Sequence, residues 1–206
     1  MHDGPDSLQS PSSAYVALGS GSYCSTGLTR GPWHPEHQHA GPPIALVARE
    51  IERAAAALEL THIARLTANL LRPIPIVELA VEVQTEYAGR NVAHFSARLN
   101  AAGKEVARFT ALAQRDAEVS IPSALPGHPL PFAPRSFGES PAARFPFSAR
   151  MTGYQDLMEA RIAEGTFFRG PCAVWFRMRH PLLAGEDPSA IQRVAVAADS
   201  GNGISA

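Results

Sequence analysis

The sequence predicts an α+β fold in which a long apolar helix is followed by an antiparallel meander of strands. Apolar residues recur at helical spacing directly after Pro42 and Pro43, and several later segments alternate between apolar and polar residues. The turns between those segments are short and contain glycine, as hairpins require. A sheet of this kind has one face to bury, and the helix supplies an apolar surface for it.

The first predicted elements are a bent strand or hairpin over 15–33, which is rich in glycine, and a helix over 44–60. The apolar positions of the helix follow a 3.6-residue period. Pro42 and Pro43, directly before it, suit a helix start because proline needs no backbone donor there.

Four segments are predicted to form the meander: 62–72, 77–87, 92–99 and 105–115. Alternate positions of the second segment are apolar while most of the intervening ones carry glutamate or glutamine, which is the pattern of a strand with one wet face. A curved antiparallel sheet around one helix is the hot-dog fold. The ferredoxin-like alternative needs a second long helix between strands, and the sequence shows none before its proline-rich segment.

A proline-rich segment divides the chain, since seven of its 18 prolines fall between Pro122 and Pro146. We predict a first hot-dog domain over 13–117, a linker over 118–145 and a second, incomplete hot-dog domain over 146–206. The predicted fold class is therefore α+β, a double hot dog with an unfinished second half.

The second unit is predicted to contain strand-like stretches over 147–165 and 166–180, and then a helix. Asp187 would cap this helix and Pro188 would occupy its first turn. No meander follows, so the apolar face of the helix lacks cover. Either strands of another chain cover it, or the sequence lacks its natural C-terminus.

Composition excludes several classes of partner. The chain has 206 residues, 45% of them hydrophobic, and its 18 Lys and Arg nearly balance its 19 Asp and Glu. A net charge of -1 attracts neither nucleic acid nor anionic membranes. No apolar run is long enough for a membrane span and the N-terminus is polar and acidic, so we expect a cytoplasmic protein.

A histidine-rich loop precedes the first helix. Its histidines, His34, His37 and His39, are more typical of a solvated polar loop than of a metal site, so we predict neither a metal nor a cofactor. His39, Ala40 and Gly41 stand where the helix begins, and their small residues would let a thioester carbonyl approach free N–H groups at the positive end of the helix dipole. Alternatively, Gly41 only shapes a tight entry into the helix.

Asp199 ends the last predicted helix, followed by Ser-Gly-Asn-Gly. A negative charge is unfavourable at a helix C-terminus, so another group would have to hold the carboxylate. On spacing alone, an ordinary turn in which Asp and Asn bond the neighbouring backbone is the favoured interpretation.

Four segments, taken in order, resemble the TesB-like acyl-CoA thioesterases, which are double hot-dog proteins of lipid metabolism. They are TRGPWHPEHQHAGPPIALVARE, ARLTANLLRPIPI, KEVARFTALAQR and ADSGNGIS. The resemblance runs from about Ala14 to Ala206. It implies hydrolysis of acyl-CoA to free acid and CoA, and a homo-oligomer joined through hot-dog sheets.

The resemblance also implies a role for one residue, Asp199, as the catalytic carboxylate. Substrate binding is predicted for His39, Ala40, Gly41 and Asn202. The family's threonine and glutamine partners come from strands after the second helix. Those strands are missing from this sequence, which indicates a longer parent protein.

Acyl-CoA hydrolysis by Asp-assisted attack of water is therefore the predicted function. The alternative is a non-catalytic hot-dog protein, a truncated remnant that binds acyl-CoA or assembles with other copies. An enoyl-CoA hydratase would need an aspartate and a histidine a few residues apart near a helix start, and the sequence shows no such pair.

Overall fold

The computed structural model describes residues 11–120, 134–143, 145, 151–201 and 204. These residues form a six-stranded sheet, a three-stranded sheet and three α-helices. The strands of the larger sheet are β1 (Tyr15–Gly19), β2 (Ser22–Ser25), β3 (His62–Leu70), β4 (Glu78–Ala88), β5 (Val92–Ala101) and β6 (Lys104–Gln114). The smaller sheet contains β7 (Ala142–Ala143), β8 (Met158–Gly165) and β9 (Cys172–Met178). The helices are α1 (Gly41–Ala56), α2 (Tyr154–Leu157) and α3 (Ala190–Ala198).

The larger sheet is antiparallel throughout, has the strand order β1-β2-β4-β5-β6-β3, and packs against α1. Alternate residues of β5 are buried, among them Phe95 and Leu99, which join Phe109 of β6 in the core. Leu46 and Ile51 bury the facing side of α1. The predicted α+β hot-dog fold is confirmed.

The helix α1 begins slightly earlier than predicted, at Gly41 rather than Ile44. Pro42 and Pro43 lie inside its first turn, where the missing N–H of proline costs no intrahelical hydrogen bond. The sequence placed them before the helix because a proline is compatible with either position.

The helix α3 packs against α1, and its start differs from the prediction. Ser189, not Asp187, is the N-cap: its hydroxyl accepts the Gln192 N–H at 3.3 Å. Pro188 therefore precedes the cap instead of occupying the first turn. Val194, an apolar residue of this helix, is 62% exposed.

Part of the predicted linker packs on the smaller sheet. Its Ala142 and Ala143 pair with β8, and the indole N–H of Trp175 donates to the Arg135 carbonyl at 2.8 Å. Residues 121–133 lie outside the described residues, and the division into two domains stays a prediction. Within the described part of the chain, no helix has the length and apolar character needed to cross a membrane.

Candidate active site at the junction of α1 and α3

At one end of the helix pair, where α1 begins and α3 ends, the two helices meet at Gly41. A Cβ atom built on Gly41 would lie 2.1 Å from the Val196 carbonyl oxygen, so a side chain at this position would push α3 away. The space beside Gly41 is therefore occupied by α3. Substrate binding by Gly41 stays a prediction.

This contact brings Asp199 to the N-terminus of α1. Its Oδ2 accepts the Ala40 N–H at 3.2 Å and lies 3.2 Å from His39 Nδ1. The carboxylate is unfavourable for the dipole of α3, but it lies at the positive end of the dipole of α1. The group that holds Asp199 is thus the start of the first helix, and the ordinary-turn interpretation is incomplete.

His39 is largely buried, with 12% of its side chain exposed, whereas Asp199 retains 36% exposure. Burial lowers the pKa of His39 below its ordinary value, and the Asp199 charge opposes this shift without reversing it. A neutral imidazole beside a carboxylate places its proton on the nearer nitrogen, Nδ1. The lone pair is then on Nε2, which can act as a base.

The N–H of Gly41 lies 3.3 Å from the same His39 nitrogen. Since Nδ1 either carries a proton or offers a lone pair, it cannot donate to Asp199 and accept from Gly41 at once. When His39 donates to Asp199, the Gly41 amide is released.

The first turn of α1 offers fewer free donors than predicted. The Ala40 N–H is bonded to Asp199, and the Ile44 N–H donates to the Ala40 carbonyl at 3.1 Å. Pro42 and Pro43 have no N–H. The expectation of several free amides is wrong, because two positions of this turn are prolines and the carboxylate already accepts the Ala40 N–H. In this turn, the amide that can be released is that of Gly41.

Tyr154 of α2 covers the His39 ring, and sequence reasoning missed it. The two rings stack with centroids 3.8 Å apart and planes 6° from parallel. The Tyr154 hydroxyl donates to the Val196 carbonyl at 2.9 Å and lies 3.0 Å from the Ser200 hydroxyl. Burial raises the pKa of Tyr154 far above its ordinary value, so the phenol stays protonated. No local pattern signalled this role, since Tyr154 lies in a stretch that the sequence predicted as strand-like.

A buried polar network supports the loop that carries His39. Gln38 is 7% exposed; its Oε1 accepts the Tyr15 hydroxyl at 2.8 Å, and its Nε2 donates to the Pro75 carbonyl at 2.7 Å and the Ser25 hydroxyl at 2.8 Å. The His39 N–H donates to the Thr29 carbonyl at 2.8 Å. Satisfied buried polar groups of this kind rigidify the segment that holds them.

The opposite end of the helix pair is joined by charged and polar contacts. Arg49 donates two hydrogen bonds of 2.6 Å to the carboxylate of Glu186. Glu52 accepts from Ser189 at 2.9 Å and from Gln192 at 2.7 Å. These contacts set the register of α3 along α1, and hence the height at which Asp199 meets His39.

The remaining predicted site residues fall elsewhere. Asn202 lies outside the described residues. The rings of His34 and His37 are 4.4 Å apart, but within the described ranges no three His, Cys, Asp or Glu side chains converge to hold a metal ion. His39 alone among the histidines of that loop meets Asp199.

Comparison with known families decides what kind of domain carries this junction. Residues 29–114 match the family model of the acyl-CoA thioesterase N-terminal domain. The matched segment covers 86 of the 206 residues. It contains α1, β3 to β6 and the predicted residues His39, Ala40 and Gly41, whereas Tyr154 and Asp199 lie beyond it. The predicted resemblance to the TesB-like acyl-CoA thioesterases is confirmed.

Solved structures of thioesterase-type hot-dog proteins resemble the fold of most of this chain. A proposed thioesterase from Novosphingobium aromaticivorans is 19% identical with a TM-score of 0.64, over 90% of this chain and 71% of its own. A proposed thioesterase II from Thermobifida fusca is 16% identical with a TM-score of 0.53, over 75% of this chain and 54% of its own. An acyl-CoA thioesterase II, TesB2, from Mycobacterium marinum is 16% identical with a TM-score of 0.52, over 90% of this chain and 64% of its own.

These likenesses, at low identity, establish the fold. The chain spans 54% of the length of the Thermobifida protein and 64% of that of the Mycobacterium protein. None of the curated protein sequences matches this chain.

Proposed function

We propose that this chain hydrolyses acyl-CoA thioesters, with His39 and Asp199 together activating the attacking water. The observation that carries the proposal is the 3.2 Å contact between His39 Nδ1 and the Asp199 carboxylate. It lies at the N-terminus of α1, the central helix of the segment that matches the acyl-CoA thioesterase family model. The pair has the arrangement of a base oriented by a carboxylate, which recurs in hydrolases of unrelated fold.

The reaction follows from the proton positions of this pair. Asp199 holds the His39 proton on Nδ1, so Nε2 removes a proton from water while the oxygen attacks the thioester carbonyl carbon. The carbon–sulfur bond then breaks, and the imidazolium returns its proton to the CoA thiolate. The products are a free acid and CoA, and no covalent enzyme intermediate forms.

The Gly41 amide is the donor that we assign to the carbonyl oxygen. It is released when the Nδ1 proton bonds to Asp199, which is the state that makes Nε2 basic. One mispositioned or missing donor of this kind typically costs about 2.7 to 4 kcal/mol in activation free energy. Proton placement on His39 would thus prepare the base and the oxyanion donor together.

The role that we assign to His39 goes beyond the substrate contact predicted from the sequence. The resemblance implies that the catalytic partners of Asp199 come from strands that are not part of this sequence. Among the described residues, the partner that contacts Asp199 through a titratable side chain is His39. We therefore assign it a catalytic role in addition to the predicted contact with substrate.

Steady-state kinetics on acyl-CoA esters of several chain lengths, with free thiol as the readout, test the proposal. We expect Asp199→Asn and His39→Gln each to lower kcat by about 10²- to 10⁴-fold, the usual contribution of acid–base catalysis. The double variant should be little worse than either, because the two residues act as a unit.

Asp187→Asn is the matched control, since Asp187 is an exposed carboxylate at the opposite end of the same helix region. It should retain wild-type kcat. Full activity in Asp199→Asn, or no thiol release from any acyl-CoA by the wild type, would contradict the proposal.

Enoyl-CoA hydration is a second candidate, and the same pair favours it. The sequence argued against a hydratase because no Asp and His lie close together in the chain. Folding nevertheless joins residues 39 and 199 beside a helix start, so their separation along the chain does not exclude a hydratase. Hydration leaves the thioester intact, so a product that retains CoA and releases no thiol would identify it.

The non-catalytic alternative predicts a third result. Acyl-CoA would bind, as measured by calorimetry, with neither thiol release nor a hydrated product. The expected homo-oligomer is a separate prediction, and sedimentation equilibrium tests it.

A further inference from the structure

Tyr154 joins the two segments that carry the proposed catalytic pair. It is 4% exposed, its ring stacks on His39, and its hydroxyl reaches the last turn of α3, where Asp199 follows. Its own N–H donates to the Arg30 carbonyl at 2.8 Å, next to Thr29, whose carbonyl accepts the His39 N–H. Tyr154 and His39 are therefore fixed to the same short stretch of backbone.

The Tyr154 hydroxyl satisfies a carbonyl that the end of α3 leaves without a backbone donor. The last four carbonyls of a helix lack intrahelical partners. In α3 the Ser200 N–H turns to the Ala197 carbonyl at 3.0 Å, and the Val196 carbonyl accepts the phenol instead. Val196 is also the residue against which Gly41 packs, so this hydrogen bond holds the end of α3 at the helix junction.

The Tyr154 ring restricts the imidazole plane. A parallel ring at 3.8 Å leaves His39 no room to rotate out of that plane while the stack persists. The imidazole ring must keep this orientation for its Nδ1 atom to point at the Asp199 carboxylate.

We propose that Tyr154 is a positioning residue, whose ring fixes the plane of His39 and whose hydroxyl fixes the end of α3, so that Nδ1 and the Asp199 carboxylate stay within hydrogen-bond distance. The inference deepens the proposed function and rests on it. Tyr154 touches no reacting atom in this scheme and acts through the other two residues.

Two variants separate the contributions of the ring and the hydroxyl. Tyr154→Phe keeps the stack and removes the donor to Val196, and Tyr154→Leu removes both. Tyr23→Phe is the matched control, because Tyr23 is also buried and its hydroxyl donates to Glu50 of α1 at 2.6 Å, at a contact that excludes His39 and Asp199. Both phenylalanine variants lose a donated phenol hydrogen bond and a second contact of the same oxygen, with Ser200 in the case of Tyr154 and with Arg49 in the case of Tyr23.

We expect Tyr154→Phe to lower kcat by about three- to tenfold, the equivalent of one hydrogen bond. Tyr154→Leu should lower it about 100-fold, as expected for a misplacement near 1 Å. KM should remain unchanged in both, since substrate contacts are retained. Tyr23→Phe should leave kcat and KM at wild-type values.

The pKa of His39, followed by NMR of labelled histidine, gives a readout that does not need turnover. The His39→Gln spectrum assigns its resonance among the eight histidines of the chain. Among the residues that the structure describes, Tyr154 and Asp199 are the titratable groups that face His39. Removing the covering ring in Tyr154→Leu exposes the imidazole, so its pKa should rise toward the ordinary value; Tyr154→Phe keeps the ring, and the pKa should not change.

Wild-type kcat in Tyr154→Phe would overturn the inference, as would an equal loss of kcat in Tyr23→Phe. An unchanged His39 pKa in folded Tyr154→Leu would also overturn it. If Tyr154→Leu does not fold, the two phenylalanine variants still decide. If the wild type releases no thiol, the proposed function fails, and the His39 pKa still reports whether Tyr154 positions the ring.

Discussion

The two sheets of this protein surround their helices very differently. The six-stranded sheet packs along the 16-residue α1 and, with it, forms most of the core. The nine-residue α3 contacts the three-stranded sheet only slightly and packs mainly on α1. The first helix is therefore buried by its own sheet, whereas the second is held in place by the first helix.

Because of this difference, the stability of the protein and its proposed chemistry depend on different parts of the molecule. The first sheet and α1 supply the core and present His39, Ala40 and Gly41. The second unit supplies Asp199 and Tyr154. The candidate site is complete only when α3 is docked, so changes at the helix junction should affect activity more than changes of equal size elsewhere.

The largest effect should come from the core of the first sheet. Phe109 is fully buried, and Phe109→Ala should lower the free energy of unfolding by about 3 to 5 kcal/mol through lost burial and a residual cavity. Phe176→Ala in β9 is the matched change in the second sheet, where the ring is half-buried, and should cost clearly less. Urea denaturation measures both; an equal or larger cost for Phe176→Ala would break the comparison.

Gly41→Ala tests the helix junction. Alanine has the better helix propensity by about 1 kcal/mol, so propensity alone predicts a more stable protein. The added methyl group would instead meet the Val196 carbonyl and displace α3, and we expect kcat to fall about 100-fold. Gly138→Ala is the control, because nothing lies within 4 Å of its added Cβ. Wild-type kcat in Gly41→Ala would show that α1 and α3 can move apart at this junction without loss of activity.

The pH dependence of kcat/KM sharpens the assignment of His39 as the base. Protonation of Nε2 removes its lone pair, so activity should fall about tenfold per pH unit below the pKa of His39. Burial lowers this pKa below 6.5, which moves the acid limb to lower pH than an exposed histidine would give. His39→Gln should abolish this limb in whatever activity remains. A limb above pH 6.5, or one that persists in His39→Gln, would contradict the assignment.

The smallest effect should come from the ion pair at the far end of the helices. Arg49 is nearly buried but Glu186 is 47% exposed, and such pairs couple by about 1 kcal/mol or less. A double-mutant cycle with Arg49→Met and Glu186→Gln measures this coupling in the free energy of unfolding. A coupling well above this value would mean that charges, rather than the Gly41 contact, dominate the docking of α3.

Local patterns were sufficient to predict the strands of the first sheet and its helix. They did not predict the strand order: the expected meander of four consecutive strands is wrong, because β3 pairs with β6 at the edge of the sheet instead of with β4. The alternation in 77–87 and the apolar spacing in 44–60 each reflect a period set by backbone geometry, so the elements could be recognised without knowledge of their neighbours. The hairpin turn before Lys104 is equally local, since Ala102 and Gly103 both adopt the left-handed backbone conformation of a tight turn. The cap at Ser189 was missed because Asp187 and Ser189 are both good capping residues, and packing of α3 on α1 selected between them.

The sequence by itself determined the α+β hot-dog class, the helix that starts near Pro42, and the importance of His39 and Asp199 as separate candidates. Only the tertiary structure decided that these two residues form a pair and that Tyr154 covers it. Periodicity describes one element at a time, whereas this pair depends on two helices approaching until the Gly41 backbone meets the Val196 carbonyl. That approach is set by packing between residues more than 150 positions apart, as the 159-residue separation of Ala40 and Asp199 shows.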